Sequence, residues 1–263
     1  MPHLPRGAIQ KLRSIAGPCP LAIGGLLVLA TLLAILSLAL RAYYTGRETY
    51  FFLLKDLFLG WVPMGLSLVL VCLARRPSRK ASRAVLLVAW VLFLPNAPYL
   101  LTEFLHLNSH HAPRNMRIIP LLHVPRNGAV PLWYDAFMIL LFAWNGLLLG
   151  VLSLRMVQDI ARQRVGAAWG WAGTMSLLLL SAFGVTLGRF ERFNSWDVLS
   201  RPGLLASDIA SRVFRPLAHP HTTGATLLLS AFLVLAYLTM IAMMNVGRVA
   251  PTQPNGFARR SPD

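Results

Sequence analysis

Residues 21–40 read LAIGGLLVLATLLAILSLAL, twenty positions without one ionisable side chain. A bilayer core is about 30 Å thick and is crossed by about 20 predominantly apolar helical residues, so this stretch has the length of a membrane span. Arg6, Lys11 and Arg13 precede it, as in a secretory signal. The apolar core of such a signal runs about 7 to 15 residues, and the longer run reads as a retained anchor. Working outward, comparable apolar segments begin near Phe51, Ala84, Tyr134, Ala168 and Gly224. The expected fold is all-α, a polytopic transmembrane helical bundle of about six spans. The expected organisation is a basic tail over 1–20, one six-helix transmembrane domain over 21–247 and a flexible tail over 248–263, with both tails cytoplasmic.

Composition supports that solvent. Of 263 residues, 56% are hydrophobic and 13% charged, whereas soluble domains carry roughly a quarter charged residues. Soluble nucleases and globular enzymes are excluded on this ground. The net charge of +16 would suit a nucleic-acid binder only if the basic residues formed a stripe on a polar domain. They sit instead between apolar runs, where Lys and Arg hold loops beside an anionic leaflet. Membrane lipids are therefore the expected partners, nucleic acid is not, and a protein partner stays open. Cys19 and Cys72 form neither a disulfide framework nor a metal-binding pair. No nucleotide loop, nucleophile elbow or haem motif is present, so no cofactor is assigned.

Lys and Arg resist translocation, and their distribution orients the chain. Arg75, Arg76, Arg79, Lys80, Arg83, Arg155, Arg162 and Arg164 would share one side, eight basic residues against the five of Arg41, Arg47, Arg114, Arg117 and Arg126. The expected location is the inner (plasma) membrane, multi-pass, with the more basic side cytoplasmic; the arginines of the last outer loop run against this trend. Seven of the nine acidic residues then fall at the outer side: Glu48, Asp56, Glu103, Asp135, Glu191, Asp197 and Asp208. Polar chemistry gathers at one end.

The segment Leu94-Pro95-Asn96-Ala97-Pro98-Tyr99 lies in the outer half of the third span. Pro95 gives no N–H to the Val91 carbonyl, and each proline disfavours helical geometry at the residue before it, Leu94 and Ala97. The span is expected to break at Pro95 and Pro98, with the freed carbonyls and the Asn96 amide buried among neighbours or lining a watery cavity. Beyond the break, Glu103 and His106 are three residues apart, a pair able to supply two metal ligands. His110, His111 and His123 follow, and their spacing fits no specific zinc signature. Lys55 and Asp56 lie in the outer part of the second span, where ionisable groups are functional candidates. Asp56 is expected to face inward toward Arg189 or Arg192, and not to pair with Lys55, because adjacent helical positions point about 100° apart. Pro63 predicts a further kink.

Arg189 and Arg192 would form a forked donor pair suited to phosphate or carboxylate, or simply anchor with Trp196 at headgroup level. Leu205, Ile209 and Val213 recur every four residues, the pattern of a short helix on the membrane surface. Gly146 with Gly150, and Gly184 with Gly188, have the spacing that lets helices approach closely, and Asn145 is placed for an interhelical hydrogen bond.

Taken together, Leu59-Gly60-Trp61-Val62-Pro63, the run Phe93–Glu103, Leu132-Trp133-Tyr134-Asp135 and the run Leu187–Asp197 resemble a bacterial integral-membrane family, domain of unknown function 1361. The resemblance spans about residues 40 to 245 and is carried by Pro-Asn-Ala-Pro-Tyr and Asn-Ser-Trp-Asp in combination. The family pattern places an asparagine near Asp56 and an aspartate near Glu103. Those two side chains are departures from it, and the resemblance implies no activity.

Three function classes follow. The first is a membrane-embedded enzyme acting at the outer face on a lipid-linked or envelope substrate. Its candidate catalytic acids or bases are Glu103, Asp135 and Asp197, and its candidate substrate-binding residues Asn96, Tyr99, Arg189, Arg192, Asn194 and Trp196. The second is a noncatalytic component that binds a protein or lipid partner. The third is a small transporter using the Pro95–Pro98 break. Either functional class predicts that Asn96, Glu103, Asp135, Arg189, Arg192 and Asp197 converge in one outer pocket.

Overall fold

The computed structural model describes residues 20–74, 79–107, 132–190, 200 and 202–246. Residues 1–19 and 247–263, the histidines His110, His111 and His123, and the stretch with Arg192, Asn194, Trp196 and Asp197 lie outside the described residues. The elements run α1 (Pro20–Thr45), α2 (Phe52–Ala74), α3 (Lys80–Phe93), α4 (Asn96–Tyr99), a 3₁₀ helix (Leu100–His106), α5 (Leu132–Val165), α6 (Ala167–Phe190), α7 (Pro202–Phe214), a 3₁₀ turn (Pro216–Ala218) and α8 (Pro220–Val246). Among the described residues six helices are long and apolar enough to cross a membrane, the third being the compound stretch Lys80–His106. The all-α bundle is as expected, and it reads as a multi-pass membrane protein.

Lipid explains the outside of the bundle. Leu26, Leu29 and Leu36 on α1 and Leu228 and Leu235 on α8 are exposed, large apolar side chains in numbers that soluble monomers rarely show. α5 is the centre: it packs against α1, α2, α4, the 3₁₀ helix and α6, while α6 carries α8.

Association in lipid depends on small residues and interhelical hydrogen bonds, and both are present. Asn145 Nδ2 on α5 donates to Thr31 Oγ1 on α1 at 2.8 Å, and Trp61 Nε1 on α2 donates to the same oxygen at 3.2 Å. Lower down, Trp90 Nε1 donates to Ser153 Oγ at 2.8 Å, which donates to the Pro63 carbonyl at 2.9 Å. One hydroxyl thus ties α3, α5 and α2. Ser153→Ala removes the only hydrogen bond shown for the fully buried Trp90 indole. The expected cost is about 1–3 kcal/mol, read as a lower unfolding temperature in detergent, with Ser153→Thr less affected.

α5 corrects one expectation. Its 34 residues make a rod of about 51 Å, so Arg155, Arg162 and Arg164, expected in a loop, ride on its final turns. The local sequence is rich in good helix formers, and basic side chains suit a helix C-terminus. The helix stops only at Gly166, whose φ of +93° is a left-handed conformation that glycine takes without strain. α6 begins at the next residue.

α7 forms where the four-residue apolar recurrence predicts a helix. Arg212 ties it to itself through Asp208 at 2.7 Å and to α8 through Thr222 at 2.7 Å.

Candidate functional site

The interruption of the third span positions the site. α3 ends at Phe93, the chain turns at Leu94 and Pro95, resumes as the single turn α4, and tightens into the 3₁₀ helix. Leu94 itself stays helical, with φ −52° and ψ −41°, so the bias of the residue before proline is overridden there by burial in the bundle. Two carbonyls at the break, that of Phe93 and that of Leu94, which Pro98 frees, are met locally. Asn96 Nδ2 donates to the Phe93 carbonyl at 3.0 Å, and the Ala97 amide to the Leu94 carbonyl at 3.2 Å.

Glycines seat this irregular segment. A Cβ at Gly146 would run into the Ala97 carbonyl oxygen and come within 2.7 Å of Leu100 Cδ1. At Gly184 it would lie 2.9 Å from Pro95 Cγ, at Gly60 3.2 Å from Leu100 Cδ1, and at Gly150 3.3 Å from Ala97 Cβ. Three helices therefore give up side chains so that the break can sit between them.

A 3₁₀ helix has three residues per turn, so Leu100, Glu103 and His106 stack on one face. Glu103 is only 1% exposed, and its Oε1 lies 2.8 Å from Arg189 Nη2 at the end of α6. The same guanidinium donates from Nε to Thr102 Oγ1 at 2.9 Å, places Nη1 2.9 Å from His106 Nε2, and lies 4.7 Å over the Tyr99 ring. Asp56, buried on α2, stands close enough to act electrostatically on both Glu103 and Tyr99. Arg189 is thus the hub of a polar centre built from the second, third and fifth spans.

Asp56 faces this centre as expected, but the expectation that it would not meet Lys55 is corrected. Lys55 Nζ lies 3.8 Å from Asp56 Oδ1. The long lysine stem folds back across the angle between adjacent positions, and with Lys55 mostly exposed the contact is weak.

Asp135 belongs to a second centre. Its carboxylate takes Arg41 Nε at 2.7 Å and Nη2 at 3.1 Å, a two-point pair that joins α5 to the last turns of α1. The Arg41 guanidinium lies 4.4 Å over the ring of Tyr50, between α1 and α2. Burial, reinforced by the Asp135 charge and opposed by Arg41, pushes the Tyr50 phenol up to about 12. Tyr134 donates to the Ser37 carbonyl at 2.7 Å. Between the two centres stands Phe52, whose ring centroid is 6.1 Å from that of Tyr50 and 5.0 Å from that of His106.

The expected convergence is therefore divided. Tyr99, Glu103, His106 and Arg189 come together; Asp135 joins Arg41 instead; Asn96 serves the Phe93 carbonyl. Arg192, Asn194, Trp196 and Asp197 lie outside the described residues. The Glu103 and His106 pair considered as metal ligands has an arginine against it, with Glu103 Oε2 and His106 Nε2 3.7 Å apart. A guanidinium in that position repels a cation. Among the described residues no group of three His, Cys, Asp or Glu side chains is placed to hold a metal ion.

Sequence reasoning did not assign Thr102, Tyr50 or Arg41 to a site. The signal for Arg41 was its place in the last turns of a span, where a charged residue needs a partner; Thr102 and Tyr50 carried no such signal.

No curated protein and no solved structure matches the chain. The family model described as "Protein of unknown function (DUF1361)" matches residues 56–240, a stretch holding Asp56, Tyr99, Glu103, Asp135 and Arg189, and the chain belongs to that family.

Proposed function

We propose that the chain is a membrane-embedded enzyme of the inner membrane, both ends cytoplasmic, that acts at the outer face on a lipid-linked or envelope substrate with an anionic head. The observation that carries this reading is Glu103, buried inside a span in contact with Arg189, with no hydrogen bond to its Oε2 among the described residues. Ionisable groups buried within spans are costly and mark function by default. A buried carboxylate with spare acceptor capacity suits proton transfer, and an arginine suits phosphate or carboxylate recognition. Arg189 would hold the substrate head, with Tyr99 and Asn96 beside it and Arg192, Asn194 and Trp196 in the adjoining segment. Glu103 would accept or return the proton, with Asp135 and Asp197 as the other candidate acids or bases.

A second reading is a noncatalytic component that binds a partner. It is favoured by one feature: the buried carboxylates Glu103 and Asp135 each have an arginine of their own, an arrangement that also serves simply to lower the cost of burying charge.

Mass spectrometry of lipids retained after purification in mild detergent separates the two. The proposal expects a phosphate-bearing lipid with the wild type and at least about a tenfold loss, roughly 1.4 kcal/mol, in Arg189→Gln, while Arg155→Gln at the other end of the bundle retains it. A stoichiometric protein partner with no such lipid would overturn the enzyme reading in favour of the second.

A further inference from the structure

On the 3₁₀ helix, Leu101 and Phe104 are three residues apart and share a face adjacent to the one carrying Glu103 and His106. They border a groove of about 430 Å³ whose other walls include Leu140 and Trp144 of α5 and Leu229 and Phe232 of α8. That volume lies within the usual range of ligand pockets, about 300–1,000 Å³. Its walls are hydrocarbon and aromatic, and Phe104, Leu140, Trp144 and Phe232 present exposed surface to it. The arrangement is amphiphilic within one turn of backbone. Thr102 and Glu103 touch Arg189, while their neighbours Leu101 and Phe104 line the groove.

We infer that this groove is the tail-binding half of the site and holds an acyl chain of a bilayer glycerophospholipid whose phosphate reaches Arg189. The inference rests on the head-binding reading above and adds to it the class of molecule. Charge complementarity points to the head: at the Arg189 guanidinium a phosphate takes the place of the Glu103 carboxylate, with Asp56 the second anion of the centre. The tail follows from the walls, which are aliphatic and aromatic with the Trp144 indole N–H as their one side-chain donor, too little for a sugar or peptide. An acyl chain enters sideways from the membrane without leaving hydrocarbon, so only its ordering opposes binding.

The test uses the full chain in nanodiscs with phosphatidic acid carrying a diazirine in its acyl tail, followed by peptide mapping of the cross-links. Labelling is expected on Phe104, Trp144 and Phe232 at least about tenfold above Leu26 and Leu29, which face lipid on α1. Leu229→Trp, which fills the groove, should reduce that labelling by a similar factor, and Phe232→Ala, which widens it, should keep it. Equal labelling of α1 and the groove would mean surrounding lipid only and would overturn the inference. Preferential labelling by a diazirine isoprenyl phosphate would overturn the acyl assignment. A matching diacylglycerol probe separates head from tail. In Arg189→Gln the preference for phosphate over diacylglycerol should disappear while tail labelling persists. If that preference survives, the head-binding reading fails and the groove stands; if wild-type groove labelling is absent while Arg189-dependent lipid still copurifies, the groove inference alone fails.

Discussion

Gly146→Ala is expected to destabilise the bundle severely, and Gly146→Leu to leave no folded protein after detergent extraction. An added Cβ would press on the Ala97 carbonyl oxygen and on Leu100, whose Cβ would be 2.9 Å away. The obstacle is backbone, and it has nowhere to retreat. Pro95 on one side already fills the space a side chain at Gly184 would need, and Leu100 on the other crowds Gly60. Overpacking usually costs about 1–3 kcal/mol, and alanine here should reach the top of that range, about 3 kcal/mol. Net stabilities of about 5–15 kcal/mol leave little room for a larger side chain. The ranking is the sharper test. Gly150→Ala, with its nearest atom at 3.3 Å, should cost under about 1 kcal/mol, and Gly24→Ala, with nothing within 4 Å, should not destabilise. Thermal unfolding in detergent that found Gly146→Ala as stable as Gly150→Ala would remove the cradle from the account.

Arg189→Met is expected to be the most damaging change at the polar centre. It leaves the Glu103 carboxylate 1% exposed and without its cation, and stranding a buried charge costs about 3–5 kcal/mol. Thr102 and His106 lose the same partner. Glu103→Met should be comparably harmful on its own, because it strands the guanidinium. The double variant leaves neither member of the pair stranded and should recover at least about 2 kcal/mol relative to the sum of the two single effects. Arg41→Met should behave in the same way toward Asp135, and Arg41→Met combined with Arg189→Met should be close to additive, since Arg41 pairs with Asp135 and Arg189 with Glu103. Unfolding curves of this set check both claims. Strong coupling between the two arginines would join what the geometry separates.

Much of the architecture was legible because the solvent writes it into the chain. Apolar runs of span length cannot be mistaken for soluble helices, and their starts fall within a few residues of the helices observed. The break at Pro95 was legible for the same reason, since a missing N–H is a property of the residue itself. The pairing of charges was less so. Asp135 opens one span and Glu103 closes another, and only helix order decides which arginine each meets. α5 lies between α1 and the third span, so Asp135 turns to Arg41 while Arg189, on α6, reaches Glu103. The extension of α5 through Arg155 and Arg164 was hidden by treating basic residues as loop markers, when they mark a side of the membrane and are compatible with helix. The roles of Gly146 and Gly184 were half visible: small residues signal close approach, but not that the approaching object is an irregular piece of backbone.

The order in which the chain is made gives the glycine cradle a consequence for biogenesis. The interrupted third span leaves the ribosome before α5 and α6 exist, yet Gly146 and Gly184, the surfaces shaped to receive it, arrive only with them. Until then its Pro95 kink lacks the Gly184 side of its seat, and Glu103 lacks its arginine. The nascent third span meets α2 and its Gly60 first, and its cradle is completed only when the α5–α6 hairpin with its one-residue turn at Gly166 is delivered. Assembly is then decided by the later half of the polypeptide, which closes around the earlier half.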